Sequence, residues 1–249
     1  VRVTEGDVVH FTLNNDKANK NSHSIDFHAA RVDVLSQFEA VKPGQSKTFD
    51  FTATYPGTFF YHCGSDPMIQ HIARGMFGVI IVEFKDPNAM PKADREYVLI
   101  QSELYPNPDN QEDMRTDNWS HIMFNGGVFK YDPVHDPNAT RMLQAKQGER
   151  VRIYFVNAGV NEFYSFHPIA GIWDRVYPSG NPKNVLVGMQ TYVVGPGDAA
   201  TFDIISPTEG AYALVSHSMR QALSGSIAIL QFTKDADPKM GHGDNILIR

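Results

Sequence analysis

An internal duplication restricts what this chain can fold into more than any other feature. Pro43-Gly44 is followed, four residues after the glycine, by Thr48-Phe49-Asp50 and, thirteen after it, by Gly57. Pro196-Gly197 is followed at the same offsets by Thr201-Phe202-Asp203 and by Gly210. Upstream, Gly6 lies nine residues before Asn15 and Gly148 nine before Asn157, while Asp26-Phe27-His28 is echoed by Ser165-Phe166-His167. Equal offsets across sparse identities mark two copies of one unit, roughly 1–88 and 95–235, joined by the polar, proline-bearing stretch 85–95.

Both copies read as strands. Residues 8–13, 47–51, 58–61 and 79–84 in the first, and 97–101, 151–156, 201–205 and 227–232 in the second, are short and rich in Val, Ile, Phe, Thr and Tyr. Turn residues separate them, 19 Gly and 15 Pro in all, and helical periodicity is scarce, so each copy is expected to be a β-sandwich or barrel. Lys plus Arg number 22 against 28 Asp plus Glu, without a basic block, which argues against binding a phosphate backbone. Apolar runs such as Val79-Ile80-Ile81-Val82 are strand-sized and far below the ~20 residues of a membrane span. The opening residues Val1 to Gly6 read as a strand entering a turn and carry no signal-peptide pattern.

A single cysteine, Cys63, excludes an internal disulfide and a cysteine-rich zinc site. Alone it would read as a small buried hydrophobe. Its surroundings say more: Cys63 is followed eight residues later by His71 and five after that by Met76, with His23 upstream in Asn21-Ser22-His23-Ser24. One thiolate, two imidazoles and one weak thioether make a trigonal blue-copper (type 1) electron-transfer site. Soft sulfur favours the cuprous ion and imidazole holds the cupric one, so one framework serves both. Met68 competes as the thioether, but the spacing after His71 favours Met76 and leaves Met68 to pack nearby. Two further histidines are tied to these segments: His28 stands five residues after His23, and His62 immediately precedes Cys63. Neighbours on a strand point to opposite faces, so Cys63 can face inward while His62 faces out. A second copper, linked to the first through the His62–Cys63 peptide, is expected there. His10, His121, His135 and His242 lack supporting spacing and read as solvated or structural.

The set His23, His28, His62-Cys63, His71 and Met76 resembles the first domain of the copper-containing nitrite reductases. Ser165-Phe166-His167-Pro168-Ile169-Ala170-Gly171-Ile172-Trp173-Asp174 and Leu214-Val215-Ser216-His217-Ser218 resemble that family's second-domain site segments. The resemblance covers nearly the whole chain. It implies an all-β fold of two tandem Greek-key cupredoxin β-sandwich domains, 1–88 and 95–235, with 236–249 as a C-terminal tail and the family's first strands absent. It implies a homotrimer with two coppers per subunit. Type 2 copper would take His28 and His62 from one subunit and His217 from its neighbour. In the duplication Ser216 stands where Cys63 stands, so the second copy has lost its type 1 copper, and His167 is read as the equivalent of His28. The implied reaction joins nitrite, one electron and two protons to give nitric oxide and water. Asp26 and His167 would supply the protons, and Ile169 would crowd the substrate side of the metal. A small cupredoxin or cytochrome c donor and an extracytoplasmic location are implied by the family alone.

Departures from the family are few. The loop from Cys63 to His71 is a residue shorter than in well-known members, and Ile172-Trp173 replaces a His-Gly found in some. Neither removes a ligand. The rivals are a two-domain multicopper oxidase acting on hydroxylamine or another small reductant, and a non-catalytic cupredoxin electron carrier. The oxidase needs eight histidines in four His-x-His pairs, and here Cys63 is followed by Gly64. The carrier has no use for the residues outside the type 1 set.

Overall fold

The computed structural model describes residues 1–139 and 141–243; the last six residues of the expected tail, 244–249, lie outside the described residues. The two Pro-Gly pairs set the framework. Gln45 N donates to Lys42 O and Asp198 N to Gly195 O, with Gly44 at φ 78° and Gly197 at φ 73°. This is the type II turn, in which proline presets the second position and glycine tolerates the positive φ of the third. From these turns run Ser46–Thr52 and Ala199–Ile205, paired antiparallel with Val8–Asn14 and Arg150–Asn157.

In the first copy that pair faces a four-stranded sheet ordered Arg2–Thr4, Phe77–Glu83, Gly57–His62, Asp26–Phe27. Alternation along Val8–Asn14 turns Val9, Phe11 and Leu13 inward. The core gathers on Phe27, whose ring lies 5.0 Å from Phe11, 5.1 Å from Phe51 and 5.0 Å from Tyr61. In the second copy a six-stranded sheet runs from Leu186–Met189 to His121–Phe124, facing a five-stranded sheet from Tyr192–Val194 to Leu143–Ala145. Its core stacks Phe166 between Phe155 at 4.4 Å and Trp173 at 5.0 Å, with Phe202 edge-on at 5.0 Å. The chain is therefore all-β, two tandem sandwiches. Among the described residues its helices are short pieces in the connections, Val34–Gln37, Met68–Ala73, Gln111–Arg115 and Met219–Ala222. None is long and apolar enough to cross a membrane.

The copies meet along an apolar seam where Phe60, Val79 and Ile81 pack on Val98, Tyr154, Val156 and Ala199. Strand Arg95–Leu104 serves both sides: Val98 faces the seam while Tyr97 and Leu99 enter the second core. A strand covered on both faces reads as a continuous apolar run. At the seam Thr58 N donates to Ser179 O at 2.9 Å, and a Cβ on Gly57 would stand 2.4 Å from that oxygen. Only glycine permits this approach.

Candidate metal centre

The first cluster is built by a buried asparagine. Asn15 Nδ2 donates to Asn21 O (2.9 Å) and Val41 O (2.8 Å), while His23 and Val41 exchange backbone hydrogen bonds of 3.1 and 2.7 Å. This holds His23 against the end of strand Gly57–His62, where Ser24 Oγ accepts from Gly64 N. Helix Met68–Ala73 brings His71 back, and Met76 N donates to His71 O while Cys63 N donates to Met76 O. Cys63 Sγ consequently lies 3.0 Å from His71 Nδ1 and 3.8 Å from His23 Nδ1. Burial lowers the pKa of His23, and burial followed by the charges of His23 and Arg74 lowers that of His71. Both imidazoles therefore favour the neutral form that a metal needs. A thiol and two such nitrogens within 4.8 Å of one another form a donor set that suits copper. The Met76 backbone is bonded to both Cys63 and His71, whereas Met68 opens the helix; the two methionines are 37% and 46% exposed.

The second cluster lies on the other side of the same strand end. His62 Nδ1 is 2.9 Å from Cys63 O, which can only accept, so Nδ1 carries the proton and Nε2 keeps its lone pair. That Nε2 lies 3.2 Å from His28 Nε2 and 3.7 Å from Asp26 Oδ2, and His28 Nε2 is 4.0 Å from the same oxygen. Two ring nitrogens and a carboxylate oxygen converging on one point fit a cation. Instead of pointing out into solvent, His62 is 6% exposed, packed on the Phe60 ring at 5.0 Å. His28 is hydrogen-bonded to the Gly197 backbone and feels the charge of Asp198, both from the second copy. Its pKa is lowered chiefly by burial, against an opposing pull from Asp26.

His167 and His217 sit together on the second copy with ring centroids 5.0 Å apart. His167 Nδ1 is held by Gln190 O at 2.5 Å, with Thr191 Oγ1 at 3.3 Å, leaving Nε2 free. Among the described residues neither joins the Asp26, His28 and His62 cluster of its own chain. Ile169 is 43% exposed beside them. Of the two residues that depart from the family, Ile172 is exposed, but Trp173 is fully buried and donates to Phe166 O, so it belongs to the core. His10 and His135 pair with Asp50 and Asp132 away from both clusters, and His121 with Ser120.

Strand register corrects one sequence equivalence. Gly57 and Gly210 open matching strands opposite Val82 and Phe232, so Cys63 matches Ser216 and His62 matches Val215. His62 pairs with Asp26, and Val215 pairs with His167. His28 N donates to Phe60 O, and Ala213, the match of Phe60, pairs with Ile169. The counterpart of His28 is therefore Ile169, and that of Asp26 is His167. The contacts of Gly197, Asp198, Gln190 and Thr191 escaped sequence reasoning; only the Pro-Gly repeat hinted at the first two.

Comparison with known proteins fits this geometry. The multicopper oxidase family model matches residues 1–87. A solved copper nitrite reductase from Nitrosomonas europaea is 71% identical, covers 100% of this chain and 87% of its own, and superposes with a TM-score of 0.99. The chain belongs to the copper-containing nitrite reductases. Members of that family from Neisseria meningitidis serogroup A and Alcaligenes xylosoxydans are 34% and 32% identical over 96% and 89% of this chain. The chain spans 63% of the length of the Neisseria nitrite reductase and 72% of the Alcaligenes one.

Proposed function

We propose that this chain catalyses the one-electron reduction of nitrite: NO2− + e− + 2H+ → NO + H2O. His23, Cys63, His71 and Met76 hold type 1 copper; His28 and His62 hold type 2 copper together with His217 of the partner subunit in a homotrimer, giving two coppers per subunit. The observation that carries this reading is the pair of Nε2 atoms 3.2 Å apart on His28 and His62, with His62 joined by one peptide bond to the Cys63 thiol. Copper in these sites supplies the electron and a Lewis acid that anchors the anion.

The chain's own groups manage the protons. Asp26 Oδ2 lies within 4.0 Å of both His28 and His62, close enough to meet the oxygen that leaves as water. His167, with Nδ1 fixed on Gln190 O, presents Nε2 from the partner subunit and, as the imidazolium, is the second donor. Ile169, exposed beside it, crowds the substrate side and helps set the orientation of nitrite. A small cupredoxin or cytochrome c refills the type 1 site, and the enzyme works outside the cytoplasm.

The oxidase alternative is weakened at every x-spaced pair, since Asp26-His28, His62-Gly64, His167-Ile169 and Val215-His217 each contain one histidine. The test is copper content with electron paramagnetic resonance, with and without nitrite. Two coppers per subunit, with a type 2 signal that nitrite perturbs, are expected. About four per subunit would mean an oxidase, and one would mean a carrier.

A further inference from the structure

In the first copy three segments meet at the Cys63 cluster: the stretch 21–24, the end of strand Gly57–His62, and helix Met68–Ala73 with its following turn. The same segments meet in the second copy with neither a cysteine nor a histidine at the four matching positions. Tyr164 pairs with Val194 as His23 bridges to Val41, and Asn157 Nδ2 donates to Glu162 O and Val194 O as Asn15 does to Asn21 O and Val41 O. Tyr164 therefore stands for His23 and Ser216 for Cys63. Gly75 N donates to Ile72 O and Gly225 N to Ala222 O, which aligns the turns and makes Gln221 the counterpart of His71 and Ser226 that of Met76.

All four replacements are polar, buried and hydrogen-bonded. Ser216 Oγ accepts from Ser165 N (3.2 Å) and donates to Gln221 Oε1 (2.5 Å). Gln221 Nε2 donates to Glu162 Oε2 (2.8 Å) and Phe163 O (3.2 Å), and Glu162 Oε1 accepts from Trp119 Nε1 (2.7 Å). Ser226 Oγ donates to Gln221 O, and Tyr164 OH to Glu103 Oε1. A fully satisfied buried network specifies one arrangement of the segments it joins, where apolar side chains would leave several. What it joins here is the backbone that carries both His167 and His217. Ser165 lies two residues before His167, Ser216 lies one before His217, and His217 N donates to Ser165 O at 2.8 Å.

We propose that Ser216, Gln221 and Glu162 are positioning residues for His217 and His167. They form a hydrogen-bonded clasp that joins, in the second copy, the segments a metal joins in the first. This rests on the reading above that His217 completes the type 2 site of a neighbouring subunit. Ser216→Ala deletes one oxygen and should fold; Gln221→Met removes the central amide at similar length. In the copper-loaded full chain, both are expected to lower type 2 copper affinity about tenfold in a chelator titration and to shift the type 2 hyperfine splitting. The type 1 absorption band should stay unchanged in both. Parent-like type 2 affinity and hyperfine splitting in both variants, with or without a lower melting temperature, overturns the proposal. His217→Ala separates the two readings. If it retains type 2 copper, the interface reading fails; if it loses type 2 copper while Ser216→Ala and Gln221→Met keep it, the clasp alone fails.

Discussion

Asn15 and Asn157 offer a matched pair of perturbations, because one clamp is used twice beside different chemistry. Asn15→Ala removes the donors to Asn21 O and Val41 O, and Asn157→Ala removes those to Glu162 O and Val194 O. Asn157→Ala also strips Gly159 N of its acceptor at 2.8 Å. Val41 O keeps the bond from His23 N, so Asn15→Ala orphans one carbonyl and weakens a second. At ~1–3 kcal/mol for each buried group left unsatisfied, Asn15→Ala should lose about 1–3 kcal/mol and Asn157→Ala, which orphans both Glu162 O and Gly159 N, about 2–6 kcal/mol. For a chain of this size that lowers Tm by roughly 2–12 °C and 4–24 °C respectively, measured by calorimetry. The spectra should then divide. His23 is fixed through Val41, so Asn15→Ala should shift the type 1 visible band, whereas Asn157→Ala should leave that band in place and disturb the type 2 signal. Comparable destabilisation with an unmoved type 1 band in Asn15→Ala would refute the argument that this asparagine sets the His23 position. A loss below about 1 kcal/mol in both would show that the carbonyls find other donors.

Cys63→Ser should abolish the type 1 band and reduce copper from two to one per subunit, because its neighbour His62 keeps Nε2 facing His28; loss of both coppers on metal analysis would contradict independent sites. Glu103, buried and hydrogen-bonded by Val160 N and Tyr164 OH, has its pKa raised above 4.5 by burial. The folded protein therefore binds more protons than the unfolded chain above pH 4.5, and this group's contribution to stability falls as pH rises through its folded pKa. Glu103→Gln should thus gain stability relative to the parent as pH rises above 4.5 in thermal melts; a difference that does not change with pH would contradict this. Arg95, 2% exposed, donates to Glu149 Oε2 at 2.6 Å and to the carbonyls of Asp237 and Met240. Arg95→Met should cost about 3–5 kcal/mol in urea unfolding and expose residues 237–241 to limited proteolysis, and unchanged cleavage there would show that other contacts hold them.

The two metal clusters were legible because few sequences use a thiol, two imidazoles and a thioether at loop spacing for anything else. The structure brings His23, Cys63 and His71 together, and sets His28 beside His62 across the same strand end. What stayed hidden is what spacing cannot encode. The buried place of His62 depends on Phe60 and on the second copy's packing along the seam. The hold on His28 comes from Gly197, far along the chain. Trp173, next to a substrate-side segment in sequence, opens strand Trp173–Pro178 and turns into the core against Phe166 and Phe202, while Ile172 just before the strand stays exposed.

The error over His167 has a physical cause. Phe166-His167 looks like Phe27-His28, but the two dipeptides are two residues apart in the ladder. A slip of one residue would have moved every side chain to the wrong face and been visible as a broken hydrophobic pattern; a slip of two preserves the faces and leaves no trace in the pattern. Only the pairing partner distinguishes the registers. With the register set, Asp26 and His167 occupy one position of the repeated unit, and His28 and Ile169 occupy another. If the site forms between subunits as proposed, the proton-handling pair comes from equivalent positions of two sandwiches that face each other. At the second position one copy offers a ligand and the other an apolar wall. Duplication then supplies the active site's asymmetry directly: each position is present twice, and substitution in one copy converts a repeated ligand into a substrate-facing side chain without disturbing its twin.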